Sequence, residues 1–240
     1  MAELFDYIVS PQKEKALLID RILFDHYEGP FHFFSNKDVI SQLVSALLSH
    51  RTKNAVSGKA YRVLKTKFAT WEDLLVASDD SIVNAIKEVT FPEIKAPRIK
   101  QMLQYIKDHN NGLLSLDFLR NRKISDIRAW LQKIPGVGIK TSAAALNFSE
   151  WRMPALVVDT HHLRVAQRIG LVPLKCTLEK GAKLLESYLP VEWDGQRVYD
   201  NHQAFMRHGQ RLCHWKTPNC KSCVVRRHCD YYNSRFVSSN

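Results

Sequence analysis

Four of the five cysteines stand within 17 residues, as Cys213, Cys220, Cys223 and Cys229 in the spacing C-x6-C-x2-C-x5-C. The Cys220–Cys223 pair can chelate from one turn of chain, and Cys213 and Cys229 would close the site. With no secretory signal in view, four clustered thiols point to metal rather than to disulfides. On spacing alone, one tetrahedral zinc ion and an iron–sulfur cluster are equally compatible. Cys176 stands apart from the others and is expected to pack as a small apolar residue.

Two further residues could do covalent or acid–base chemistry. Lys140 follows Ile134-Pro135-Gly136-Val137-Gly138-Ile139 and opens a helical stretch containing Ala143, Ala144, Ala145 and Leu146. The positive end of a helix is an unusual place for an ammonium, and a lysine there is a candidate nucleophile able to form a Schiff base. The plainer role is a contact to phosphate. Asp159 follows the apolar run 155–158 and precedes a helical stretch with Leu163, Ala166 and Ile169. It reads as an N-cap, and a capping carboxylate can also take a proton or stabilise positive charge.

These residues need elements to hold them, and the pattern is helical throughout. Apolar residues recur at helical spacing in Leu43-Val44-Leu47-Leu48 behind Ser35-Asn36, and on a further helix at Val63-Leu64. Leu74-Leu75 and Ile82-Val83-Ile86 mark two short helices with acidic or serine caps. Ile99-Met102-Leu103-Ile106 marks another, and so does Ile127-Trp130-Leu131-Ile134, behind Ser125 and running to Pro135. Strand signals are nearly absent, so an all-α fold is expected. Between the last of these helices and the Lys140 helix, Gly136 and Gly138 allow a tight hairpin. Such a hairpin offers backbone N–H groups and a helix N-terminus to a phosphate without reading sequence.

The stretch from Ile134 to Ser142 resembles the hairpin signature of the endonuclease III-like DNA glycosylases of the helix-hairpin-helix superfamily. Asp159 in Val157-Val158-Asp159-Thr160-His161 is similar to that family's aspartate. The four cysteines match its iron–sulfur spacing, and His208-Gly209 is similar too. The likeness runs from about residue 39 to 232. It implies a two-domain all-α fold: a six-helix domain over 34–152 carrying the hairpin, and a second domain of 1–33 plus 153–240 carrying a [4Fe–4S] cluster on Cys213, Cys220, Cys223 and Cys229. It implies a base-excision enzyme that removes damaged bases, oxidised pyrimidines first. Lys140 would attack C1′, and the resulting Schiff base would allow β-elimination, nicking the abasic site. Asp159 would assist.

A flipped nucleotide leaves a gap that some side chain must fill. His50, Arg51 and Thr52 lie where the family usually offers a glutamine, and Phe91, in Thr90-Phe91-Pro92, lies where it inserts an apolar wedge. A surface arginine and a core phenylalanine are the plainer readings. Arg51, Phe91 and Lys53-Asn54 all depart from the family pattern and bear on which lesion and opposing base are preferred. The resemblance leaves room for an adenine- or thymine-directed mismatch glycosylase, or for a non-catalytic DNA-binding homologue. Against the adenine-directed relatives, no acidic residue occupies Ala46 or Leu47, where their glutamate stands. Against the non-catalytic homologue, Lys140 and Asp159 are both present.

Charge and composition fit this reading. The 240 residues carry 35 Lys and Arg against 24 Asp and Glu, a net charge of +11. A chain this basic gains from counterion release on a phosphate backbone. Residues 205–240 alone hold seven Lys or Arg and one acid, Asp230. The apolar fraction of 45% excludes a disordered chain, and no apolar run is long enough for a membrane span. The opening residues, with Glu3 and Asp6, lack a basic leader, so a cytoplasmic or nuclear location is expected. The expected partner is double-stranded DNA bearing damaged bases or abasic sites, bound by a monomer, with no membrane.

Overall fold

The computed structural model describes residues 10–33 and 36–237. These form twelve α-helices, with short 3-10 turns and no strand. The fold is all-α. The chain divides into two compact units, Phe33–Ala155 and Met1–His32 with Leu156–Asn240.

The Phe33–Ala155 unit is built around α2 (Val39–Ser49). Val39, Ile40, Leu43, Val44, Leu47 and Leu48 are all buried, so α2 is apolar nearly all round, the signature of a central helix. Against it pack α3 (Asn54–Lys67), α6 (Pro92–Asp108) and α8 (Ile139–Asn147). The short helices α4 (Trp71–Val76) and α5 (Asp79–Ala85) pack on α6, and α7 (Ile124–Leu131) packs on α8. That makes seven α-helices where six were expected. The two short helices expected at Leu74-Leu75 and Ile82-Val83-Ile86 are α4 and α5, separated because Thr70 and Asp73 form a capping box on α4 and Ser78 caps α5.

Several expected caps are corrected. Helix α2 begins behind Asp38, whose side chain accepts the Ser41 N–H at 2.8 Å, not behind Asn36; Ser35 lies outside the described residues, as do Glu3, Asp6 and the Phe34 boundary. Ser125 lies inside α7 rather than capping it. Helix α7 stops at Leu131, and Pro135 sits in the turn beyond.

The other unit joins α1 (Pro11–His26) to α9 (Thr160–Ile169), α10 (Leu178–Ser187), α11 (Gly195–Arg211) and α12 (Asp230–Phe236). Helix α11 crosses α9 closely. A Cβ on Gly209 would stand 2.8 Å from His161 Cβ, so only glycine permits that approach. Helix α1 is tied to α11 by buried Asp20, which pairs with Arg197 and accepts Asn201 Nδ2 at 2.9 Å. No helix among the described residues is long and apolar enough to cross a membrane.

Candidate functional site

In the Phe33–Ala155 unit the turn between α7 and α8 holds the hairpin residues. Gly136 has φ +84°, a left-handed conformation, although a Cβ there would meet no atom within 4 Å. Backbone torsion, not space, demands glycine. Val137 is part of the hairpin expected to meet DNA; its side chain is buried and its N–H donates to the Ile134 carbonyl at 3.0 Å. Val137 shapes the turn, while Gly136 and Gly138 stay exposed. Gly138 is the N-cap of α8 and brings no side-chain acceptor, so none covers the first-turn N–H groups. Lys140, the second residue of α8, is exposed at that end.

The loops after α2 and before α6 belong to the same unit and are joined. Thr90 Oγ1 donates to the Arg51 carbonyl at 2.9 Å, and Thr90 N–H donates to Thr52 Oγ1 at 3.1 Å. Arg51 and Phe91 both have positive φ, +53° and +59°. Non-glycine residues adopt this region uncommonly and at a cost of about 1–2 kcal/mol. Phe91 is 47% exposed, so it is not a core side chain. Arg51 and His50 are exposed and Thr52 half-buried. The His50 pKa is held below its ordinary value by loss of hydration first, and then by the charges of Lys140, Lys95 and Arg98. His50 and Lys140 therefore sit in one positive cluster. Sequence reasoning missed Lys95, whose Nζ donates to Leu48 O, His50 O and Thr52 Oγ1.

In the other unit Asp159 is the N-cap of α9, and its Oδ1 accepts the His162 N–H at 2.8 Å. Burial would raise this carboxyl. His202 and the His162 N–H outweigh burial and hold it below the usual carboxylate range. Beneath it, His162 is 1% exposed and stacks on Phe205 with centroids 4.4 Å apart.

The four clustered cysteines of this unit line one cavity with Arg168, His208, Leu212 and Tyr231. No three His, Cys, Asp or Glu side chains among the described residues are placed to hold a single metal ion. Burial pushes the Cys223 thiol up to about 11 and raises Cys220 and Cys229. Arg168 donates to Cys213 Sγ at 3.3 Å, and Arg164 to the carbonyls of Cys213 and Gly209 at 2.9 and 2.7 Å. His208 bridges Tyr27 Oη at 3.1 Å and Cys223 Sγ at 3.5 Å. Cys176 is apart from this cavity and half-buried, with the Gln167 amide on its carbonyl at 3.4 Å.

The glycine turn between two packed helices, with an uncapped helix start behind it, makes this a helix-hairpin-helix protein. Residues 44–190 match the family model of the HhH-GPD superfamily base excision DNA repair protein. The chain is 29% identical over 198 residues to endonuclease III of Thermotoga maritima, covering 82% of this chain and 85% of that one. It is 28% identical over 206 residues to endonuclease III of Escherichia coli K12, covering 86% of each. In structure it is similar to a trapped endonuclease III–DNA covalent intermediate, with TM-score 0.77 and 22% identity over 93% of this chain and 98% of that one. It is also similar to a thermostable thymine-DNA glycosylase, with TM-score 0.76 and 21% identity over 94% and 100%. The chain belongs to the HhH-GPD superfamily of base excision DNA repair proteins and is a DNA glycosylase of that family.

Proposed function

We propose that this glycosylase is bifunctional: it excises oxidised pyrimidines from duplex DNA and then nicks the abasic strand as a lyase. The observation that carries the reading is the exposed Lys140 beside the uncapped start of α8. The bare N–H groups of that helix end, behind the exposed Gly136 and Gly138, suit a phosphate that holds the strand. The Lys140 Nζ lone pair attacks C1′, and the C1′–N bond breaks as the base leaves with its electron pair and gains a proton. Opening of the sugar ring gives a Schiff base. Loss of a C2′ proton then expels the 3′ phosphate, and water releases the lysine. Asp159, ionised near neutral pH, stabilises positive charge on the sugar or takes the lysine's proton. Arg51 and Phe91, exposed side by side on joined loops, fill the space the nucleotide leaves, with His50 and Thr52 flanking them.

The cysteine cavity suits a [4Fe–4S] cluster. The four thiols line one cavity and stand in the C-x6-C-x2-C-x5-C spacing that matches the family's iron–sulfur pattern. Cys213, Cys220, Cys223 and Cys229 would hold the cluster as thiolates. It would fold the basic C-terminal loop, with Lys216, Lys221, Arg226 and Arg227, for contact with the phosphate backbone.

The test is a duplex with one abasic site, assayed for nicking and for binding. Wild type leaves an unsaturated 3′ sugar end. Lys140→Gln loses nicking by at least about a hundredfold while its Kd stays within about threefold. Asp159→Asn keeps the helix cap, since asparagine caps as well as aspartate, yet slows base excision strongly. Nicking that survives in Lys140→Gln contradicts the proposal.

A further inference from the structure

Lys95 plays no part in the chemistry above, yet it is only 5% exposed, and lysine is almost never fully buried without a partner. An ammonium has three N–H donors, and all three are used. They reach the Leu48 carbonyl at 2.8 Å, the His50 carbonyl at 2.8 Å and Thr52 Oγ1 at 3.0 Å. No carboxylate is among these partners. The charge is met by oxygens of the last turn of α2 and the loop that follows, an arrangement that fixes backbone rather than neutralises an acid. The same residue's backbone N–H donates to the Phe91 carbonyl at 3.1 Å. Lys95 therefore grips the left-handed turn of Arg51 with its side chain, from a backbone position held in the first turn of α6 just behind Phe91. Thr90 closes the ring through Arg51 O and Thr52 Oγ1.

We propose that Lys95 is a positioning residue that locks the His50–Thr52 loop and the Phe91 turn into one rigid two-pronged element, presented to the gap in the base stack. The inference rests on the reading that Arg51 and Phe91 face DNA. Removing the ammonium takes a donor from the buried Leu48 carbonyl, from the part-buried His50 carbonyl and from Thr52 Oγ1, which keeps only the Thr90 N–H. The loop then relaxes from its left-handed turn and Arg51 loses its aim.

The test compares Kd for a duplex carrying a tetrahydrofuran abasic analogue with Kd for the intact duplex. Their ratio is the preference for a gap. Arg51→Ala lowers it about tenfold, and Lys95→Met lowers it comparably. The double variant falls no more than about twofold further, because the lysine acts through the arginine. Lys95→Arg, which keeps the charge and donors, recovers most of the preference. Thr52→Val removes one acceptor from a half-buried residue and gives a smaller loss of about threefold, so the question is answered even if Lys95→Met fails to fold. A Lys95→Met or Thr52→Val protein that keeps its preference while Arg51→Ala loses it overturns the positioning role alone. If Arg51→Ala and Phe91→Ala both keep the preference, the DNA-facing reading falls, and this role falls with it.

Discussion

At the scale of single residues, the departures from the family pattern carry the most information about specificity. Arginine offers only donors, where glutamine offers a donor and an acceptor. An Arg51 guanidinium standing in the vacated stack faces the Watson–Crick edge of the opposing base and favours guanine, whose O6 accepts, over adenine, which presents the N6 donor there. A hydrogen bond from a charged donor is worth about 1.5–3 kcal/mol. Wild type is expected to excise lesions opposite guanine about tenfold faster than opposite adenine in single-turnover assays, and Arg51→Gln to erase most of the difference. Equal rates against all four opposing bases in wild type would remove the base-reading role. Legibility at this scale was uneven. Phe91 could not be told from a core phenylalanine by type, and the positive φ that exposes it is invisible in a sequence. Lys95 reads as one more cation among 35, because its acceptors, two carbonyls and a hydroxyl, lie 43 to 47 residues away along the chain. Val137 looked like part of an outward hairpin, but the turn twists its side chain into the core.

At the scale of elements, helix periodicity located the helices well but misjudged their ends. Ser125 is a good capping residue by type, yet α7 starts one residue earlier, and a serine inside a first turn looks the same in sequence as one at its cap. The glycine hairpin and the Asp159 cap were legible because each depends on a local rule, left-handed torsion or side-chain capping. Gly136→Ala tests the first of these. The substituted residue keeps φ +84° with no steric clash, so the cost is torsional, about 1–2 kcal/mol in chemical denaturation, with weaker DNA binding alongside. Helix α9 supplies a pH-dependent test. Burial first, and then neighbouring His202, push His162 down to about 3, so it stays neutral in the fold and charges near pH 6.5 when unfolded. The unfolded chain then binds the extra proton, and stability falls as pH drops from about 6.5 toward 3. Denaturation at pH 7 and pH 5 should give a larger loss for wild type than for His162→Phe. Equal losses would show that another group sets the slope.

At the scale of the whole molecule, two compact helical units each carry part of the proposed machinery, the hairpin lysine and loop residues in one, Asp159 and the cysteines in the other. The net charge of +11 and the basic C-terminal loop suit a protein that binds a phosphate backbone. If the cysteine cavity holds a [4Fe–4S] cluster, purified protein is brown, absorbs at roughly 400 nm and contains about four irons per chain. Cys220→Ser loses iron and solubility together, and an active, colourless protein with one zinc contradicts the assignment. The family was legible in the sequence because hairpin, aspartate and cysteines lie in order along the chain. The two-loop element was not, because it is assembled by hydrogen bonds between residues 48–52 and 90–95. Covalent trapping tests Lys140 as the nucleophile most directly. Borohydride reduces a Schiff base to a stable amine, so wild type incubated with abasic duplex and borohydride should form a covalent adduct. Peptide mass spectrometry should place the sugar remnant on Lys140. An adduct mapped to another amine, or the same yield of adduct from Lys140→Gln, would contradict the account.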